Sequence, residues 1–205
     1  MQDGFERLAA ILGDLGGPPR RIDWGAAPAG VRIDFPADYR RYAEVYAGRV
    51  VFAGGLGVET PLRPRTAQEP TGFEALLEFN REMGEVIEDW YGWEEVEYPD
   101  GRPYEPYPAP GGLFCWGSNW SGDHFFWDTA DPDPQRWPVV AWDAVCDGFQ
   151  VYDTGLAGFL AGYAGGEYPE FTDFEPDEDG RPLPLWTPAV PLRTPAVPLR
   201  TPAGP

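Results

Sequence analysis

Gly112-Leu113-Phe114-Cys115-Trp116, His124-Phe125-Phe126-Trp127-Asp128 and Trp137-Pro138-Val139-Val140-Ala141-Trp142 are short runs of aromatic and β-branched residues. Turn-forming residues separate them, Gly117 to Asp123 and Pro132 to Gln135. That spacing predicts consecutive strands joined by tight connections. A further run, Gly148-Phe149-Gln150-Val151-Tyr152, extends the series.

Helical periodicity flanks the strands on both sides. Phe5, Leu8, Ile11, Leu12 and Leu15 recur at three- and four-residue spacings and predict a helix that Gly16, Gly17 and Pro18 stop. Phe35-Pro36-Ala37-Asp38-Tyr39-Arg40-Arg41-Tyr42 predicts a second, with Tyr39, Tyr42 and Tyr46 on one side and Gly48 at its end. Arg49 to Val58, with Val50, Val51 and Phe52 before Gly54, Gly55 and Gly57, reads as a β-hairpin. Thr71 and Glu74 form a capping-box pattern ahead of Phe73, Leu76, Leu77, Met83 and Ile87. Asp153 or Thr154 is the expected cap of a last helix through Leu156, Phe159, Leu160 and Tyr163.

The fold is expected to be complete by about residue 175, giving one domain over 1–175 and a tail over 176–205. Thr-Pro-Ala-Val-Pro-Leu-Arg stands at Thr187 to Arg193 and again at Thr194 to Arg200, and a third copy begins at Thr201. Such a repeat favours an extended, disordered polyproline tail. Pro188, Pro191 and Arg193 match a Pro-x-x-Pro-x-Arg ligand pattern; a tandem duplication without a partner accounts for the same residues.

Hydrophobic residues make up 42 % of the chain and nine residues are tryptophan, ample for a core in which Trp24, Trp116, Trp127, Trp137 and Trp142 are expected. The formal charge is −19 and all fifteen cationic residues are arginine. That field repels nucleic acid and attracts a basic protein, or serves solubility alone. No basic n-region opens the chain and no apolar run approaches bilayer length, so a cytoplasmic protein without membrane contact is expected. Cys115 and Cys146 read as buried free thiols, with a disulfide as the alternative.

Motifs for chemistry are sparse. His124 is the single histidine, and with no second His or paired Cys a zinc site lacks ligands. Asp128, Asp131 and Asp133 lack the central glycine and closing glutamate of a calcium loop. Gly54-Gly55-Leu56-Gly57 lacks the lysine and hydroxyl of a phosphate loop, so no cofactor is expected. Ser118 or Ser121 with His124 matches no nucleophile elbow, and the chain reads as a non-enzyme.

Ile22-Asp23-Trp24, Phe35 to Tyr42, Gly54-Gly55-Leu56-Gly57, Gly117 to Trp127 and Phe159-Leu160, in that order, resemble the SUKH superfamily of the Smi/Knr-like type over about Ile22 to Tyr163. The resemblance implies a single α+β domain, a mixed, mostly antiparallel sheet packed against helices. It also implies a bacterial immunity protein that binds and blocks a polymorphic toxin, often a nuclease. On that reading Glu94, Glu95, Glu97, Asp100, Asp123 and Asp131 are the expected contacts with a basic toxin domain, and Trp90, Tyr91, Trp93 and Trp120 the anchors. A solvated acidic loop explains the same charges. The competing readings are a scaffold that docks one partner through the domain and another through the tail, and a hydrolase acting through His124. The oligomeric state is not legible in the sequence.

Overall fold

The computed structural model describes residues 4–26, 33–62, 72–91, 98–99, 101–145, 148–175, 177–179 and 181–189, with residues 26 and 86–91 through their backbone alone. In chain order the elements are α1 (Gly4–Leu12), α2 (Ala37–Val45), β1 (Val50–Phe52), β2 (Gly57–Val58), α3 (Phe73–Tyr91), β3 (Leu113–Ser118) and β4 (His124–Asp128). They continue with β5 (Val139–Asp143), β6 (Gly148–Tyr152), α4 (Leu156–Ala164), α5 (Pro169–Thr172) and β7 (Trp186–Pro188). The fold is α+β.

Strands β2 to β6 form one antiparallel sheet in sequence order. Period-two alternation gives each face its own core. Phe114, Phe125, Trp127, Val139 and Ala141 belong to one core with residues of α1, α2 and α4 on one face, while Leu113, Cys115, Phe126, Val140, Trp142 and Phe149 point to the other. Trp116 sits at a register shift between Cys115 and Gly117, where its fully buried ring stacks on Phe125. Trp127, Trp137 and Trp142 are buried as expected, and Trp24 packs partly buried against the first core.

Helix α3 lies along the outer edge of β3 and serves both cores, Phe73 and Leu76 the first and Phe79 the second. Strand β2 is too short to pair the whole of β3, and other groups complete the ladder. Glu59 N–H donates to the Trp116 carbonyl at 2.8 Å. Asn80 of α3 accepts from Cys115 N–H at 2.7 Å and donates to the Cys115 carbonyl at 2.8 Å. Residues 105–107 then exchange bonds with Leu113. A buried amide side chain stands in for a missing strand.

Asp38 explains how α2 and α4 are joined. The expected caps of α4, Asp153 and Thr154, do not serve: its N-cap is Gly155, without a side-chain cap bond of its own. Asp38 Oδ2 instead accepts from Ala157 N–H at 2.9 Å, across the helix interface. A methyl group on Gly155 would crowd that carboxylate, so the glycine is what admits it.

Three expectations need correcting. The α1 helix ends at Leu12, a turn before Gly16, because Gly13 already takes a positive φ. Arg49 to Val58 is not a hairpin: β2 joins the large sheet, whereas β1 pairs antiparallel with β7 in a separate ribbon. The left-handed Gly54 and Gly55 between them turn the chain from one sheet to the other. The segment expected to begin a disordered tail contributes that β7 strand. Thr71, Cys146 and the repeats after residue 189 lie outside the described residues.

Candidate functional site

The connection from β3 to β4, residues 119–123, is cross-braced. Asn119 Oδ1 accepts from Ser121 N–H and Asp123 N–H, both at 3.0 Å, and its amide donates to Asp123 Oδ2 at 2.6 Å. Asp123 Oδ1 accepts from Ala144 N–H at 3.0 Å, which ties this turn to the one between β5 and β6. Both turns therefore sit at one end of the sheet.

Trp120 rides on this brace. Its N–H donates to the Gly54 carbonyl at 2.9 Å, and its indole lies against Gly55, where a Cβ would overlap the ring. The side chain is nonetheless 87 % exposed. Val145, on the neighbouring turn, is 84 % exposed. Beneath Trp120 runs a groove of about 300 Å³, walled by Val51, Phe52, Leu56, Val58 and Ala189. Two large apolar side chains thus project from one end of the fold beside a shallow apolar groove.

Of the sequence candidates, Trp120 fits a contact role by its exposure. Asp123 does not: it is 3 % exposed, and both its oxygens bond within the turns. Burial pushes its carboxyl above the ordinary aspartate range against the pull of Ala144 and Asn119, and nearby Asp143 adds to the rise. Its charge belongs to the brace.

Asp131 lies on the β4 to β5 connection, at the opposite end from Trp120. Its Oδ1 accepts from Asp133 N–H at 2.8 Å and its carbonyl from the Trp137 indole at 2.7 Å, so it shapes that turn. Trp90 and Tyr91 are in the last turn of α3, and their side chains are outside the description. Trp93, Glu94, Glu95, Glu97 and Asp100 lie outside the described residues altogether.

His124 faces Ser118 across β3 and β4. Among the described residues no hydrogen bond links it to Ser118 or Ser121, and its Nδ1 is buried without a partner. Burial holds the imidazole below its ordinary range. Among the described residues no group of three or more His, Cys, Asp or Glu is placed to hold a metal ion, and no helix is long and apolar enough to cross a membrane.

Sequence reasoning missed Val51 and Val145 as exposed apolar groups. The turn signal around Val145 was available: it lies between the strands β5 and β6, where a connection must surface. Compared with known proteins, the chain matches no family model, no curated protein and no solved structure.

Proposed function

We propose that this chain is a non-catalytic binding module of the immunity-protein kind, acting in the cytoplasm to neutralise a basic toxin domain by direct contact through the Trp120 end of its sheet. The observation that carries the reading is an indole seated against Gly55, on a turn fixed by the Asn119 and Asp123 brace, and yet left to solvent. A side chain ordered before binding loses little entropy on association, and tryptophan is the residue most enriched among those that dominate interface energy. The charge of −19 supports a basic partner, since it raises the rate of encounter. The resemblance to SUKH proteins points the same way.

The test is co-production in a bacterium. The C-terminal domain of the protein encoded beside this chain is expressed with and without it, and the pair is then purified together. Rescue of growth, with a complex whose association slows as salt rises, is the expected result. Absence of toxicity, or toxicity with no rescue and no complex, rejects the reading.

A further inference from the structure

Strand β7 shows where the C-terminal repeat truly begins. The segment docked on β1 is Pro184-Leu185-Trp186-Thr187-Pro188-Ala189. In that phase the chain holds two further copies of Pro-Leu-x-Thr-Pro-Ala, at Pro191 to Ala196 and Pro198 to Ala203. The three differ at one position, Trp186 in the first and Arg193 and Arg200 in the others.

The ladder reads the shared residues. Ala53 N–H donates to the Leu185 carbonyl at 2.9 Å and Ala189 N–H to the Arg49 carbonyl at 2.8 Å. Antiparallel bonding alternates, so Thr187 opposite Val51 is the next bonding position, while Pro188 faces Val50 where no N–H is required. This is why a proline is tolerated inside the strand. By sequence, a second or third copy in the same register would offer the same amides and place its proline at the same harmless position. The variable residue is the one that turns inward: Trp186 stands opposite buried Phe52 and packs against the first core.

We propose that the β1 edge is a docking site for the strand Pro-Leu-x-Thr-Pro-Ala, that the three copies are alternative occupants within one chain, and that Trp186 selects the first. Putting the second copy in place lengthens the connection from α5 by one repeat, which costs only about a twofold factor in loop closure. The tryptophan therefore decides, because an arginine at that position brings a guanidinium against the core instead of an indole. Ala189 walls the groove below Trp120, and exchange would set Ala196 in its place.

The test uses the full chain with Cys146→Ser. Val51→Cys is combined with Thr187→Cys in one variant and with Thr194→Cys in another, each treated with a short bismaleimide and mapped by mass spectrometry. Val51 and Thr187 are both exposed, so the substitutions spare the core. The 51–187 link is expected to exceed the 51–194 link by about tenfold or more, as half-burial of an indole implies. Adding Arg193→Trp, which alters no residue of the docked strand, is expected to bring the 51–194 link within about twofold of the other. An unchanged 51–194 yield, a 51–194 link found only between two chains, or failure of the 51–187 link would each overturn the proposal.

Discussion

Replacing Asn80 by leucine isolates the contribution of one side chain to the sheet. Asn80 is 3 % exposed and spends its amide on the Cys115 backbone, accepting at 2.7 Å and donating at 2.8 Å. Leucine keeps the branch at Cγ but, bulkier, puts two methyl groups where the amide was and leaves the Cys115 N–H and carbonyl buried without those partners. Two such groups cost about 1–3 kcal/mol each. Burying the leucine returns about 1–2 kcal/mol. The net loss is about 2 kcal/mol, which for a chain of this size lowers Tm by about 4–8 °C. Asn80→Asp should be worse at neutral pH, because it sets a charged oxygen against the Cys115 carbonyl. Urea unfolding followed by tryptophan fluorescence measures both. A change for Asn80→Leu within about 0.5 kcal/mol at constant m-value would refute the view that α3 completes the β3 ladder.

Two further outcomes follow from the same geometry. Asp38→Ala should destabilise the fold by about 1–2 kcal/mol through loss of the α4 cap, and Asp38→Asn by less than about 1 kcal/mol, since it keeps an acceptor; urea unfolding that reverses this order contradicts the cap. The single imidazole resonance from His124 should titrate below the ordinary value of about 6.5, because burial disfavours the charged ring. The stability tied to the neutral ring is then fully present above about pH 6.5 and lost as pH falls toward the folded midpoint, so His124→Gln should flatten that part of the stability profile. A proton-NMR midpoint at or above 6.5 speaks against it.

The sheet and its helices were legible because β3 to β6 are consecutive, are runs rich in aromatic and β-branched residues and join through short turns. Residues 49–58 misled because Val50-Val51-Phe52, two glycines and Gly57-Val58 satisfy every local rule for a hairpin, whereas the partner of β1 lies more than a hundred residues away. No local pattern carries that information. The β7 strand was hidden by its prolines, and the repeat was read from Thr187, a phase that conceals the shared Pro184 and Leu185. Asn80 was findable: it lies on the apolar stripe of α3, four residues from Leu76, where a polar residue must have a buried partner. Asp123 was read by its charge, although an asparagine four residues earlier and a preceding glycine mark a turn in which an aspartate is consumed by backbone amides. Trp120 was expected as an anchor only on the immunity-protein reading. Its exposure follows from Gly55, whose missing side chain lets the indole lie on the backbone instead of entering the core.

Trp120→Ser in the co-production assay tests the central claim most directly. Trp120 touches neither core, so the variant should fold as the parent does by far-UV circular dichroism. If the Trp120 end is the toxin-binding surface, the variant loses rescue and its complex dissociates at least about thirtyfold faster, as removal of an interface anchor worth about 2 kcal/mol requires. Full rescue by Trp120→Ser, with an unchanged dissociation rate, would contradict the account.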